Sequence, residues 1–219
     1  MGKESEFRVA SCELQSCEVE IATLQPATCN LQPAIFLDRD GTVIEQVHHL
    51  NRVDDVRVYP FAAVAMRLLK NAGFAIVIVT NQSVVGRGLL TIEGLHAIHE
   101  EMKRQLADPE LIDGIYYCTT VPTLADRTVV EDPDRKPAPG MLYRAAKDLN
   151  LNVPDSWMIG DMVSDLFAGK NAGCRGTILV RTGYGHETEW KGAEPSQTAD
   201  DLLSAAQFIC ESTASEFRG

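Results

Sequence analysis

Residues 35–45 read IFLDRDGTVIE, a short apolar run that leads directly into two aspartates one residue apart. The apolar residues before Asp38 predict a buried strand, because a strand that is covered on both faces is apolar throughout. Gly41 lets the chain turn closely after the second aspartate, Asp40. Two charged carboxylates at the end of a buried strand lower the stability of the fold unless the protein needs their charge for binding or catalysis. The stretch therefore indicates a polar site at one edge of a sheet.

Short apolar runs alternate with helical patterns from residue 34 onward. The predicted strands cover 34–38, 74–80, 114–118, 156–161 and 176–180, and the predicted helices cover 61–73, 91–106, 139–150, 163–172 and 199–211. This alternation predicts an α/β fold, a Rossmann-like doubly wound parallel sheet in three α/β/α layers. The spans between the motifs are too short for a large cap domain. Ligands of such sheets bind beyond the C-terminal ends of the strands.

The first part of the chain has a different character from the rest. Residues 10–15, 22–25 and 27–32 form a quasi-repeat (ASCELQ, ATLQ, ATCNLQ) without strong alternation or a helical apolar stripe. We expect residues 1–32 to be a disordered or loosely packed extension, with a three-cysteine metal-binding arm as the alternative. Residues 33–219 then form one domain, which is the usual size for a single core.

Composition limits the partners of this protein. Its net charge of −11 argues against nucleic acid or an anionic membrane as a general partner, although a locally positive site could bind a small anion. No stretch approaches the ~20 apolar residues of a membrane helix, and we do not expect residues 1–32 to act as a secretory signal, since no apolar run follows Lys3 and Arg8. The six cysteines form no CxxC pair, which favours reduced thiols over a disulfide scaffold. We therefore expect a cytoplasmic protein, either a monomer or a weak homo-oligomer.

Acidic residues follow two of the predicted strands and should meet at one edge of the sheet. They are Asp38, Asp40, Asp161 and Asp165. Two carboxylates ~4 Å apart repel by about 4 kcal/mol at an effective dielectric near 20. Turn and helix-cap roles could account for one or two of these residues, but poorly for all four. A divalent cation would remove the repulsion, and oxygen-only ligands with water access favour Mg²⁺.

Residues after the central strand and before a later helix have the character of a phosphate site. Thr80 and the turn Asn81-Gln82-Ser83 offer a hydroxyl and backbone N–H groups. Arg135 and Lys136 precede the helix at 139–150. A lone Arg-Lys pair is usually a solvated surface feature, but here four acids need a positive counterpart, which favours Lys136 as a site residue.

Four motifs in this order, DRDGT (38–42), VTNQS (79–83), RKPAPGM (135–141) and GDMVSD (160–165), resemble those of the haloacid-dehalogenase-like phosphohydrolases. The longer stretches FLDRDGTVIE, VTNQSVVGRG and RKPAPGML resemble the branch that contains histidinol-phosphate and heptose-bisphosphate phosphatases. The resemblance covers about residues 34–185, including VRTGYG. It implies a haloacid-dehalogenase-like fold.

The resemblance also implies catalytic roles. Asp38 would attack phosphorus and form an aspartyl phosphate. Asp40 would protonate the leaving alcohol and then activate water. Thr80 would hydrogen-bond a phosphoryl oxygen, and Lys136 would neutralise charge on that group and on Asp38.

A metal site and a substrate site follow from the same resemblance. Mg²⁺ would be held by Asp38, the carbonyl of Asp40 and Asp161, with Asp165 orienting these ligands from the second shell. The remaining candidates for substrate binding are Asn81, Gln82, Ser83 and Arg135.

The chain departs from that branch in one loop. Relatives carry a zinc loop of the form CxH…CxC before the RKP motif, whereas here Cys118 is followed by Thr120, Asp132 and Asp134 at the other ligand positions. One soft ligand of four makes a tetrahedral zinc site improbable, so zinc is not expected. Val84 also replaces the usual glycine after NQS.

The histidines allow two interpretations. His96 and His99 share one helix face, and packing or surface roles are favoured over a metal pair. His48 and His49 lie in the loop after the first strand, where contact with a substrate is the less favoured reading.

Together these features predict an Mg²⁺-dependent phosphatase of a sugar phosphate, with D-glycero-D-manno-heptose 1,7-bisphosphate as the leading substrate. Histidinol phosphate is the alternative substrate. A receiver-type signalling domain is disfavoured, because receivers carry the phosphorylated aspartate on a later strand. A non-catalytic phosphate-binding relative is disfavoured by the presence of all the catalytic positions.

Overall fold

The structure, a computed structural model, describes residues 31–190 and 192–216. Six parallel strands form one sheet in the order β3-β2-β1-β4-β5-β6. The strands are β1 (Ala34–Leu37), β2 (Ala75–Asn81), β3 (Gly114–Cys118), β4 (Trp157–Gly160), β5 (Gly176–Val180) and β6 (Gln197–Ala199). The α-helices are α1 (Ala62–Asn71), α2 (Ser83–Gly86), α3 (Ile92–Leu106), α4 (Gly140–Leu149), α5 (Val163–Ala172) and α6 (Leu202–Glu216).

The sequence pattern located the first five strands and the helices between them. Thr91 is the N-cap of α3 as predicted, since its hydroxyl accepts a hydrogen bond from the Gly94 N–H at 3.1 Å. The helix predicted over 199–211 was placed wrongly at both ends. Ala199 belongs to β6, where it pairs with Val180, and the helix begins only at Leu202.

The late start of α6 has a local cause. The Asp201 carboxylate accepts hydrogen bonds from the N–H and the hydroxyl of Ser204, at 2.8 and 2.9 Å. Aspartate in this position caps a helix start, so the helix cannot extend back to residue 199. The three-residue strand β6 and the four-residue helix α2 were not predicted, because neither is long enough to show a period.

The helices cover both faces of the sheet. Ile35 and Leu37 of β1 pack into one core with buried residues of α1, α3 and α6, while Phe36 points to the other side and packs with α4 and α5. Successive side chains of a strand face opposite ways, which explains why β1 has no polar residue. This confirms the doubly wound three-layer fold. In the described part of the chain, no large cap domain interrupts the sheet.

The strand order places β1 and β4 side by side in the middle of the sheet. The chain runs outward to β2 and β3 on one side of this pair, and to β5 and β6 on the other. A parallel sheet has its crevice where the order reverses, beyond the C-terminal ends of these strands. The residues after β1 and β4 therefore face one crevice.

The extension predicted over residues 1–32 lies outside the described residues, except for its last two. Gln32 pairs with Leu151, and its side chain donates to the Gly73 carbonyl at 3.0 Å. None of the helices in the described ranges combines the length and apolar character that crossing a bilayer requires.

Candidate active site

Three of the four predicted acids form a tight cluster at the crevice. Oxygen atoms of Asp38, Asp161 and Asp165 all lie within 4.8 Å of one another, and all three residues are buried. Asp38 directly follows β1, Asp161 follows β4, and Asp165 lies in the first turn of α5. The carboxylate of Asp40 does not join them, because it pairs with the neighbouring Arg39. The sequence expectation that all four carboxylates crowd together was therefore wrong for Asp40.

Lys136 provides the positive charge in this cluster. Its Nζ atom lies 2.8 Å from Oδ1 of Asp38, 2.7 Å from Oδ1 of Asp165 and 2.8 Å from the Val79 carbonyl oxygen. These three acceptors match the three protons of an ammonium group. Burial opposes the charge of Lys136, but Asp165 and Asp38 outweigh it and raise the pKa of Lys136 above its usual value. Lys136 is therefore a fixed cation beside Asp38.

One lysine does not balance three carboxylates. Burial, with Asp165 and Asp40 nearby, raises the pKa of Asp38 to about 7 despite Lys136. Burial and the charges of Asp38 and Asp165 raise the pKa of Asp161 to about 8. Carboxylates with pKa values this high are held in a site that lacks positive charge.

A divalent cation fits this site. Oδ2 of Asp161 accepts the Tyr184 N–H at 2.7 Å, whereas Oδ1 is buried without a hydrogen-bond partner among the described residues. Oδ2 of Asp165 accepts the Met162 N–H at 2.9 Å, and its Oδ1 is buried without a hydrogen-bond partner among the described residues but lies 2.7 Å from Nζ of Lys136 in an ion pair. This fits a ligand role for Asp161 and an orienting role for Asp165. A donor set made only of oxygens suits Mg²⁺.

Two glycines press against the carboxylate of Asp161. Gly41 and Gly183 have φ angles of +79° and +55°, and a Cβ atom on either would overlap Oδ2 of Asp161. Only glycine combines this backbone conformation with such a close approach. The loop at 182–184 thereby holds Asp161 from the far side, and Thr182 donates its hydroxyl to the Gly41 carbonyl.

We expect Gly183→Ala to impair metal-dependent function, because the added methyl group displaces Asp161. Gly173→Ala is a matched control: Gly173 also has a positive φ, +78°, but a Cβ there meets nothing within 4 Å. Both variants carry the roughly 1–2 kcal/mol cost of a left-handed alanine. Mg²⁺ titrations of activity should show a midpoint raised at least tenfold for Gly183→Ala alone, about 1.4 kcal/mol of lost affinity. Equal midpoints in the two variants would contradict this role of the loop.

The motif after β2 supports both the phosphate site and the lysine. The Asn81 side chain accepts the Lys136 N–H at 3.1 Å and donates to the Lys136 carbonyl at 3.0 Å, so it fixes the backbone that carries Lys136. Gln82 donates to the Thr80 hydroxyl oxygen at 2.8 Å. The hydroxyl of Thr80 is thus an acceptor inside the protein and keeps its own hydrogen for donation.

A cavity of about 140 Å³ opens above these groups. Predicted residues that line it are Asp38, Asp40, Thr80, Asn81, Gln82, Ser83, Lys136 and Asp165. Further lining residues were not predicted as site residues: Gln46, Val47, Leu50, Met162 and Tyr184, with His49 named only as a less favoured contact. Arg135 does not line this cavity, since its guanidinium donates to the Thr120 carbonyl at 2.8 Å. The substrate roles of Asn81, Gln82, Ser83 and Arg135 remain predictions.

The loop before Arg135 is closed by hydrogen bonds to Asp132. Its carboxylate accepts from the Thr120 hydroxyl at 2.8 Å and from the Asp134 N–H at 2.8 Å. Cys118 lies near the same group, with its Sγ 3.8 Å from Oδ1 of Asp132. The residues at the zinc-ligand positions of the related loop therefore contact one another directly.

We expect this loop to fold without zinc, because Asp132 already joins its ends. Protein purified without chelator should contain far less than one equivalent of zinc, and a zinc chelator should leave its melting temperature unchanged. Asp132→Ala should lower stability by about 1 kcal/mol, since partly buried donors lose their acceptor. Asp126→Ala, in the exposed part of the same loop, is the control. Stoichiometric zinc with a melting temperature that falls on chelation would contradict this expectation.

His96 and His99 contact the same tyrosine from α3. His96 hydrogen-bonds the Tyr117 hydroxyl at 3.0 Å, and the buried ring of His99 lies 5.9 Å from the ring of Tyr117. Burial and the nearby charge of Arg39 lower the pKa of His99 to about 3, so its ring is neutral. These contacts agree with the packing interpretation.

Comparison with known proteins agrees with the geometry. The HAD-hydrolase-like family model matches residues 134–205. The chain is 35% identical over 189 residues to the D-glycero-D-manno-heptose-1,7-bisphosphate 7-phosphatase of Thermosynechococcus vestitus, covering 82% of this chain and 96% of the relative. It is 42% identical over 156 residues to the D-glycero-beta-D-manno-heptose-1,7-bisphosphate 7-phosphatase of Yersinia pestis, covering 69% and 81%.

A solved structure shares the fold of this chain. The D,D-heptose 1,7-bisphosphate phosphatase from B. bronchiseptica, in complex with magnesium and phosphate, superposes with a TM-score of 0.71 at 31% identity. The alignment covers 83% of this chain and 99% of that one. With its sheet, its acidic cluster and these relatives, the chain belongs to the haloacid-dehalogenase-like phosphatases, in the family of the D-glycero-D-manno-heptose-1,7-bisphosphate 7-phosphatases.

Proposed function

We propose that this phosphatase removes the 7-phosphate of D-glycero-D-manno-heptose 1,7-bisphosphate, with Mg²⁺ and through an aspartyl phosphate on Asp38. The observation that supports it best is the position of Asp38. Its carboxylate shares one buried cluster with Asp161 and Asp165, contacts Lys136 at 2.8 Å and lines the cavity. A nucleophilic carboxylate must stay ionised beside an anionic phosphate, and Lys136 together with a bound Mg²⁺ would keep Asp38 ionised there.

In the first step, the Asp38 carboxylate attacks phosphorus and the bond from phosphorus to the sugar oxygen breaks. Asp40 donates a proton to that oxygen, so the sugar leaves as an alcohol. Lys136 and the Thr80 hydroxyl stabilise the negative charge on the phosphoryl oxygens. All four side chains line the cavity.

In the second step, Asp40 takes a proton from water, and the resulting hydroxide attacks the phosphorus of the aspartyl phosphate. Inorganic phosphate leaves and the Asp38 carboxylate is regenerated. Mg²⁺, held by Asp38, Asp161 and the Asp40 carbonyl, would neutralise the carboxylates and the phosphoryl group so that two anions can meet.

The proposed substrate rests on the relatives, whose names specify a heptose 1,7-bisphosphate and its 7-phosphate. The cavity is small, about 140 Å³, and the side chains proposed to act on the phosphoryl group lie in its wall. We propose that the rest of the sugar extends past the loop at 46–50, four of whose residues line the same cavity, towards the loop at 119–135. Arg135 belongs to the second of these loops.

A substrate panel with purified protein tests this proposal. Both anomers of the heptose 1,7-bisphosphate, the heptose 7-phosphate, histidinol phosphate and 4-nitrophenyl phosphate are compared with Mg²⁺ and with excess EDTA. Phosphorus NMR of the product shows which phosphate has been removed. We expect the highest kcat/KM for a bisphosphate anomer, a 1-phosphate product, and no turnover in EDTA.

Two results would redirect the proposal. If histidinol phosphate has the highest kcat/KM, it replaces the heptose bisphosphate as the proposed substrate, and the proposed mechanism stands. If the protein hydrolyses none of these phosphomonoesters in the presence of Mg²⁺, it is a non-catalytic phosphate-binding relative.

A further inference from the structure

Among the residues that the structure describes, Arg39 is the largest fully buried side chain, and it lies between the two aspartates after β1. Its side chain is 1% exposed and that of its partner Asp40 is 18% exposed, and both residues line the cavity. An arginine is rarely buried so completely unless its charge is paired. The proposed mechanism assigns Arg39 no task.

Two nitrogens of Arg39 donate to Asp40, while its Nη1 atom is buried without a hydrogen-bond partner among the described residues. Its Nε atom lies 3.1 Å from Oδ2, and its Nη2 atom lies 2.9 Å from Oδ1. A planar guanidinium that donates from two nitrogens fixes the rotation of a carboxylate as well as its position.

Gln82 holds the same carboxylate from a second strand. Its Nε2 atom donates to Oδ2 of Asp40 at 2.8 Å and to the Thr80 hydroxyl at 2.8 Å. Oδ2 of Asp40 therefore accepts from two side chains, whereas Oδ1 accepts only from Arg39. This leaves Oδ1 as the oxygen with more room to exchange a proton.

We propose that Arg39 and Gln82 are positioning residues that clamp the Asp40 carboxylate so that Oδ1 faces the leaving oxygen of the substrate. The proposal rests on the role of Asp40 given above and deepens it. Proton transfer depends steeply on the distance and direction between the two oxygens. Neither residue exchanges a proton with the substrate: Arg39 acts through Asp40, and Gln82 acts through Asp40 and also through its contact with the Thr80 hydroxyl.

If Arg39 and Gln82 position Asp40, the loss of activity on substituting them should depend on the leaving group of the substrate. An alkyl alcohol is a poor leaving group and needs its proton, whereas 4-nitrophenolate leaves without one. If the Asp40 carboxylate is no longer held in place, phosphoryl transfer from a sugar phosphate should therefore become slower. Phosphoryl transfer from 4-nitrophenyl phosphate should keep its rate. A general defect of folding or metal binding lowers both rates by the same factor.

Arg39→Lys tests the clamp, because it keeps the buried charge and most of the stem but loses the planar pair of donors. For this variant, kcat/KM, which reports the steps up to loss of the leaving group, should fall about 100-fold for the sugar phosphate, the scale of general acid catalysis. It should fall less than about threefold for 4-nitrophenyl phosphate. Arg67→Lys, at an exposed ion pair with Asp108, is the matched control and should change neither value.

A second substitution shows whether Arg39 acts through Asp40. In the Asp40→Asn background, Arg39→Lys should cost less than about twofold, because the group that it positions is gone. Gln82→Met removes the other half of the clamp and also the contact with Thr80, so we expect losses on both substrates, with the larger loss on the sugar phosphate. This variant keeps the proposal testable if Arg39→Lys fails to fold.

The results of these assays distinguish failure of the positioning role of Arg39 and Gln82 from failure of the proposed phosphatase function. Equal losses on both substrates in Arg39→Lys and Gln82→Met, or a full additional loss in the Asp40→Asn background, overturn the clamp and leave the phosphatase mechanism standing. A wild-type protein that hydrolyses neither substrate overturns both.

Discussion

Asp38→Asn is expected to reduce Mg²⁺-dependent turnover by at least about 10⁴-fold, because an amide is a poor nucleophile. The same substitution removes one of three buried carboxylates whose oxygens lie within 4.8 Å of one another. Without metal, the variant should therefore have a melting temperature equal to or higher than that of the wild type, because residues of catalytic sites often lower stability. Steady-state assays and thermal melts of the same preparation measure both effects.

The control for this result is Asp108→Asn, which changes the same chemistry at an ion pair on the surface. It should leave turnover unchanged. Near-normal activity of Asp38→Asn would remove Asp38 as the nucleophile. A large loss of stability together with the loss of activity would mean that Asp38 is needed for the fold.

Lys136→Ala is expected to lower kcat/KM on 4-nitrophenyl phosphate by at least about 10³-fold, the upper range for removal of one transition-state donor. Lys136 contacts Asp38 and Asp165 within 2.8 Å, and its removal leaves both carboxylates without that cation. Arg135→Ala should cost less than about tenfold on this substrate, because the Arg135 guanidinium contacts Thr120 and does not line the cavity. On the heptose bisphosphate, Arg135→Ala should cost more.

The discriminating quantity is the ratio of the two kcat/KM losses on the small and the large substrate. Lys136→Arg adds a control, since a guanidinium keeps the charge but cannot reproduce the three acceptor contacts of the ammonium group. Equal losses for Lys136→Ala and Arg135→Ala on both substrates would contradict this division of roles.

The sequence revealed the sheet and the acids at its edge because both leave a regular signal. The apolar run before Asp38 has the period of a buried strand, and Asp161 follows another such strand. Strand ends of a parallel sheet converge, so these two acids could be placed together without knowledge of any distance. The structure brings them together as expected.

Other parts of the site have no such signal. Nothing in the sequence predicts that Arg39 is buried, because its two neighbours are charged aspartates. Arg39 pairs with the carboxylate of Asp40, which therefore does not join the acidic cluster. The loop that holds Asp161 begins some twenty residues later in the chain, and the contact of Tyr184 with Asp161 depends on the fold. Asp132 closes its loop through contacts that no spacing rule predicts.

The central claim is that the phosphoryl group passes through Asp38, and rapid quench with mass spectrometry tests it most directly. Asp40→Asn protein is mixed with Mg²⁺ and 4-nitrophenyl phosphate, whose leaving group departs without a proton. The reaction is stopped in acid at times from milliseconds to seconds, and the protein is digested. We expect one phosphoryl group on the peptide that contains Asp38, with none in EDTA and none in the Asp38→Asn, Asp40→Asn double variant. Phosphate released without labelled protein, or a label on any other residue, would contradict the account.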